Sequence, residues 1–106
     1  MILTTGPGVE GHSITEYLDL VTTQAIMGVR VTKDIKSIGA NIMGGRVSGY
    51  EEEVAKAVAD VKRELIEAAE QLGADAVVAV DIDFESMGSN NSILLVGGSG
   101  TAVKLG

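Results

Sequence analysis

The segment from Leu72 to Glu85 constrains the fold of this chain more than any other part of the sequence. It starts where a long helical pattern stops at Gly73 and continues as a run of small and β-branched residues that is typical of a strand. Asp81, Asp83 and Glu85 occupy alternate positions of this strand. Because successive side chains of a strand point to opposite faces, the spacing predicts that all three carboxylates leave one face.

The size and composition of the chain predict one domain over residues 1–106, with a core of aliphatic side chains. Hydrophobic residues make up 45% of the sequence, but only Tyr17, Tyr50 and Phe84 are aromatic. Many small apolar residues and 14 glycines favour apolar surface that is left over for partner subunits. A tightly packed monomer is the alternative.

The charge of the chain restricts its partners. A net charge of −7 and a pI of about 4.5 argue against nucleic acid and anionic membranes and favour cations. The absence of cysteine excludes disulfides and thiolate metal sites and fits a reducing compartment. No apolar run reaches the roughly 20 residues of a membrane span, and the N-terminus lacks a signal-peptide pattern. We therefore expect a cytoplasmic protein.

The first half of the chain predicts extended structure followed by helix. Residues 1–5 suit a brief edge strand, and residues 14–31 suit a longer strand that is interrupted by a bulge or bend at residues 22–24. Residues 33–43 have the apolar spacing of a short helix. Ser48 and Glu51 form a capping box at the start of a long amphipathic helix, which Gly73 ends.

The second half predicts a β-hairpin that the long helix covers. The first strand spans residues 75–86, and its core face should carry alternate apolar residues: Ala76, Val78, Val80, Ile82 and Phe84. The last strand, residues 92–105, is apolar on both faces, so a second layer or a neighbouring subunit should cover it. Gly97, Gly98 and Gly100 indicate a bulge or a close backbone approach. The fold class is therefore α+β, with two layers: a small antiparallel sheet on one long helix plus a short helix.

At this level of detail the sequence resembles the YbjQ-like family of small bacterial proteins, which carry a heavy-metal-binding label. The matching pieces run in order along almost the whole chain: Glu10-Gly11, Ile14, Glu16-Tyr17, Val21-Thr22, Ala25-Ile26, Gly28, Gly44-Gly45-Arg46, Tyr50-Glu51, Glu53, Leu72 to Val78, Asp81 to Glu85 and Ser99 to Val103. The resemblance implies a dodecin-like subunit and a ring-shaped homo-oligomer, a homopentamer, in which short strands link neighbours. Gln24 stands where relatives often carry glutamate, which removes one carboxylate from any acidic site there.

The candidate metal ligands are Asp81, Asp83, Glu85 and His12. Soft metals prefer thiolate and imidazole, so one histidine and no cysteine favour a hard divalent cation instead. Alternate residues of a strand lie about 7 Å apart, which is long for a single ion. A bend, Glu16 from a neighbouring strand or symmetry copies would close this gap. The alternative is a solvated acidic rim, or pairing of these acids with basic side chains.

Four further residues are candidates for a ligand site or an interface: Arg46, Glu16, Tyr17 and Glu51. Arg46 follows two glycines and suits a bidentate contact with a carboxylate or phosphate, or an ion pair with Glu51 or with an acid across an interface. Tyr17 suits a core or interface position with a polar tip.

No catalytic residue is assigned, because the sequence has no cysteine nucleophile and no recognisable Ser, His and Asp spacing. The primary hypothesis is a non-enzymatic homo-oligomer that binds a cation or a small ligand at subunit boundaries. A scaffold without a ligand and an enzyme with an inter-subunit carboxylate site are the alternatives.

Overall fold

The computed structural model describes residues 1–28, 48–88 and 93–106 and has one long helix packed across a four-stranded mixed sheet. The elements in chain order are β1 (Ile2–Leu3), β2 (Ile14–Gly28), α1 (Ser48–Gln71), β3 (Ala76–Met87) and β4 (Ile93–Leu105). The strand order is β1-β3-β4-β2. The α+β prediction is confirmed. The prediction of a purely antiparallel sheet is wrong, because β1 runs parallel to β3. The short helix predicted at residues 33–43 lies outside the described residues.

The helix α1 begins and ends where its sequence pattern predicts. It starts at Ser48 and stops at Gln71, and Gly73 then takes a left-handed conformation with φ of 77°. One face of the helix is buried at intervals of four residues: Ala57, Val61, Leu65 and Ala69. The Thr23 hydroxyl on β2 donates a hydrogen bond to the Glu64 carboxylate and adds a polar link between the two layers.

The second strand is continuous, so the predicted interruption at residues 22–24 is wrong. Thr22, Thr23 and Gln24 pair in regular antiparallel register with Ser99, Gly98 and Gly97 of β4. The irregularities occur nearer the start of β2, between residues 14 and 16 and between residues 17 and 19. Threonine is β-branched and suits a pleated strand, which explains why residues 22–24 do not bend the chain.

The third strand contains a bulge that the sequence pattern did not reveal. Ala79 has a φ of 53°, and the pairing of β3 with β4 shifts between Val78 and Asp81. As a result Val77 and Val80 both join the core under α1, whereas Ala76 and Val78 belong to a smaller cluster. The prediction that Ala76, Val78, Val80, Ile82 and Phe84 share one face is therefore wrong. One extra residue reverses the alternation of side chains.

Glycine residues of β4 allow the layers to approach closely. A Cβ atom at Gly98 would overlap Val61 Cγ1 of the helix, and one at Gly100 would lie 2.6 Å from Val77 Cγ1. Both contacts would be closer than van der Waals contact, so any larger residue at Gly98 or Gly100 would force the neighbouring valine side chains to shift. The predicted close backbone approach is confirmed here.

Candidate functional site

The three acidic residues of β3 lie on the face of the sheet that α1 does not cover, which we call the open face. Its residues form three rows across β2, β4 and β3: Thr22–Ser99–Asp81, Gln24–Gly97–Asp83 and Ile26–Leu95–Glu85. The pairing from Asp81 to Met87 has no register shift, and all three acids are exposed. The prediction that they share one face is confirmed.

Two of these carboxyl groups interact directly. Hydrogen bonding to the neighbouring Asp81 carboxyl raises the pKa of Asp83 above its usual range. The negative charge of Asp81 and slight desolvation act in the same direction. Neighbouring carboxylates repel each other when both are ionised, and a nearby cation would relieve that repulsion.

Apolar side chains lie beside these acids on the open face. Leu20 and Ile26 on β2 are each 66% exposed. Leu95 and Ile93 on β4 are half-buried, and Ile93 pairs with Met87 of β3. The open face therefore combines an acidic edge, formed by Asp81, Asp83 and Glu85, with exposed and half-buried apolar residues that we call the apolar strip. Ile26, Ile93 and Leu95 lie together at the Glu85 end of this face, and Leu20 lies beyond the rows of Gln24 and Thr22.

His12 does not belong to this acidic edge. Its Nδ1 atom lies 3.3 Å from the carbonyl oxygen of Gly106, at the opposite end of β4 from the acids. The acid nearest to that end is Asp81, which pairs with Ser99, about 20 Å along β4 from Leu105. His12 instead lines a groove with Glu10 and Tyr17. The structure thus separates the predicted metal ligands into two places.

The other candidates are also dispersed. Glu16 is exposed on β2 and pairs in register with Lys104 of β4. Glu51 lies in the first turn of α1, where a carboxylate complements the helix dipole. Arg46 lies outside the described residues. Among the residues that the structure describes, no three His, Asp or Glu side chains are arranged to hold a metal ion.

Sequence reasoning missed two functional features. Glu10 joins His12 and Tyr17 in the groove, and Ala79 sets the direction of the acids by its bulge. Gly11 was a sequence signal for the turn around Glu10. It has a φ of 82°, and in this turn the Val9 carbonyl accepts a hydrogen bond from the His12 backbone N–H. Ala79 had no signal, because alanine is common in regular strands and helices alike.

The described residues define a two-layer α+β fold in which α1 covers one face of the sheet and not the other. Comparison with known proteins gives the family: the chain belongs to the YbjQ family, whose sequence model carries the description "Putative heavy-metal-binding" and matches residues 1–106. The resemblance in the sequence is thereby confirmed.

Two bacterial relatives are similar over nearly their whole length. A UPF0145 protein of Listeria monocytogenes is 46% identical over 103 residues, covering 97% of this chain and 94% of that protein. A UPF0145 protein of Listeria grayi is 47% identical over 103 residues, covering 97% of each chain. Neither description names a ligand or a reaction.

A solved structure has the same fold. The crystal structure of a protein of unknown function from Pediococcus pentosaceus, assigned to the DUF74 family, superposes with a TM-score of 0.70. The match covers 100% of this chain and 98% of that one at 20% identity, so it supports the fold alone. Within the described residues, no helix has the length and apolarity that crossing a bilayer requires.

Proposed function

We propose that this protein is a non-enzymatic, cytoplasmic subunit of a homo-oligomer that binds a divalent cation or a small ligand where subunits meet. The observation that carries the proposal is the open face, on which three exposed carboxylates and exposed apolar side chains share one surface, with Glu85 in register with Leu95 and Ile26. The description of the YbjQ family also points to metal binding.

The apolar strip supports association with a second copy. Leu20 and Ile26 each expose two thirds of their surface. Full burial of such a side chain stabilises by roughly 1.5–3 kcal/mol, so covering the strip would contribute several kcal/mol to an interface. Within the described residues, the apolar strip on this face has no helix over it, and a second copy would complete the packing.

The strand edges support the same partner. Among the described strands, β2 is the outermost on one side, and β3 from Asp81 to Met87 has no neighbour on the other. Proteins commonly protect such edges with lysine or proline, yet residues 14–28 contain no lysine, arginine or proline. Pairing the β2 edge of one copy with the β3 edge of the next is a head-to-tail contact, which gives a ring when the rotation between copies closes. The family resemblance favours five copies.

The acidic edge supports a hard cation. Asp81, Asp83 and Glu85 offer only oxygen ligands, which suit Mg²⁺ or Ca²⁺ better than a soft metal. Because these carboxylates are spread along one strand, a complete coordination shell needs oxygens from another copy. A bound cation would also remove the repulsion between Asp81 and Asp83.

An enzymatic role has weaker support. The raised pKa of Asp83 suits a general acid, but Asp81 and Asp83 are exposed, and efficient acid–base catalysis needs a positioned and partly desolvated group. A scaffold without any ligand would use the same interface but would not need the acids.

Native mass spectrometry of protein purified without chelator, with elemental analysis of the same sample, tests the proposal. We expect an oligomer that carries a stoichiometric divalent cation. A tightly bound cation would stabilise the fold by about 2.7 kcal/mol at a hundredfold excess over its Kd. A metal-free oligomer that no cation stabilises would support the scaffold, and a monomer would overturn the proposal.

Matched variants separate the interface from the cation site. We expect Leu20→Lys to dissociate the oligomer, whereas Leu72→Lys, at a leucine beyond the end of α1 that is 42% exposed, leaves it intact. Asp81→Asn combined with Asp83→Asn should abolish cation binding without dissociation. Equal behaviour of the two leucine variants would rule out the open face as the interface.

A further inference from the structure

We propose that the groove beside the first turn of the chain binds an organic ammonium ion, with the alkyl part on the groove floor and the charged nitrogen among Glu10, His12 and Tyr17. The groove is about 580 Å³ in volume and lies at the start of β2. It is shallow and open to solvent, so it suits a small ligand that stays partly exposed. Its lining residues are Pro7, Gly8, Val9, Glu10, His12, Ile14 and Tyr17.

Backbone hydrogen bonds hold the walls of the groove. The His12 backbone N–H donates to the Val9 carbonyl at 3.1 Å, and the Gly106 N–H donates to the Ser13 carbonyl at 2.8 Å. Val9 and Ile14 also pack on the small cluster formed by Ala76, Val78 and Val103. The backbone of the groove is therefore held in place without a ligand, which lowers the cost of binding.

The side chains of the groove present negative and electron-rich groups. The Gly106 carbonyl oxygen can only accept a hydrogen bond, so the His12 Nδ1 atom that faces it carries the proton. In the neutral imidazole, Nε2 then remains as an acceptor. Glu10 adds a carboxylate, and no lysine or arginine is among the lining residues.

Tyr17 adds an aromatic face. Its side chain is 70% exposed. It is one of only three aromatic residues in the sequence, which contains two tyrosines and one phenylalanine. A cation over a tyrosine ring is attracted by the ring quadrupole. A carboxylate, an imidazole acceptor and an aromatic face beside an apolar floor select an alkyl ammonium over a metal ion, which would need more ligands and no apolar floor.

This inference does not depend on the proposed function. The groove and the acidic edge are separate along β4: Tyr17 pairs with Val103, whereas the nearest acid, Asp81, pairs with Ser99, about 14 Å away. A monomer without any cation at Asp81 and Asp83 would still contain the groove.

Titration of ¹⁵N-labelled protein with butylammonium chloride, followed by NMR, tests the inference. We expect saturable shifts at Gly8, His12 and Tyr17 and none with n-butanol, which has the same alkyl chain without the charge. Nα-acetyl-lysine methylamide provides a second arm of the experiment. Tighter binding than butylammonium would indicate that the ligand is a lysine side chain of another protein. Weaker binding than butylammonium would indicate that the ligand is a free amine.

Variants give the matched controls. Glu10→Gln and Tyr17→Leu should each weaken butylammonium binding roughly two- to fivefold, the range for exposed ion pairs and cation–π contacts. Glu85→Gln should not change it. Equal binding of butanol and butylammonium, or shifts confined to residues 81–85, would overturn the inference. Thermal melts of each variant check that the fold is retained.

Discussion

The two faces of the sheet are built from the same strands but differ in almost every property. On the covered face Val61, Leu65 and Val96 are fully buried, and glycines let the helix approach. On the open face three carboxylates share the surface with Leu20 and Ile26, which are each 66% exposed. In β4 both faces are equally apolar in sequence, since Leu94 and Val96 alternate with Ile93 and Leu95. The difference teaches that apolarity alone does not identify the packed face; the position of the helix decides it.

The largest effect should come from removing a core side chain of the covered face. Leu65 is 0% exposed, so Leu65→Ala leaves a cavity under α1. We expect a loss of about 2–5 kcal/mol in the free energy of unfolding, measured by urea denaturation. The control is Leu72→Ala, since Leu72 is 42% exposed and should lose much less. Similar losses in both variants would contradict the assignment of the core.

A pair of adjacent glycines compares the two faces directly. In Gly98→Ala the new methyl group would collide with Val61 and lie 3.1 Å from Leu65 Cδ1. We expect a loss of about 1–3 kcal/mol from overpacking, measured by thermal and urea unfolding. In Gly97→Ala the new group meets only Leu95 Cδ2, at 3.7 Å, so stability should be unchanged or slightly higher. The reverse order would mean that the helix does not cover Gly98.

The bulge that switches β3 between the faces can be tested at Ala79. Its positive φ of 53° is unfavourable for β-branched residues. Ala79→Val should therefore lower the free energy of unfolding by about 1–2 kcal/mol, whereas Ala79→Gly should be at least as stable as the natural protein. Ala79 is exposed, so packing changes little in either variant. If the valine variant were as stable as the glycine variant, Ala79 would not have the left-handed conformation.

The smallest effect should be the pH dependence of the acidic edge. Hydrogen bonding to Asp81 raises the pKa of Asp83 above its ordinary value of 3.8 in the folded state. The folded protein therefore holds this proton to higher pH than the unfolded chain, and the associated stability is lost as pH rises through the folded pKa. We expect Asp83→Asn to remove this loss of stability with rising pH, so that the variant has a slightly higher melting temperature than the natural protein at pH 7.

The pH experiment needs two comparisons. Melting temperatures between pH 3.5 and pH 7 should be compared for the natural protein, Asp83→Asn and the control Glu85→Gln. A natural protein and an Asp83→Asn variant with identical pH profiles would show that Asp81 and Asp83 do not interact. Screening by salt and exposure keeps the effect small.

Much of the fold was predictable from local signals. The limits of α1 followed from Ser48, the apolar stripe and Gly73, and the common direction of Asp81, Asp83 and Glu85 followed from strand alternation. The core face of β3 and the continuity of β2 were predicted wrongly. Both depend on pairing with β4, which places a bulge at Ala79 and keeps Thr22 to Gln24 in regular register.

The candidate sites were predictable only in part. The sequence alone determined that the acids of β3 lie together, because they are close neighbours along one strand. His12 was grouped with them on residue type, but the fold places it beside Gly106, 94 residues later, in a groove with Glu10 and Tyr17. Local sequence determines periodicity, caps and turns because these depend on residues a few positions apart. Only the tertiary structure decided which face is covered and which side chains meet, because those contacts join residues from distant parts of the chain.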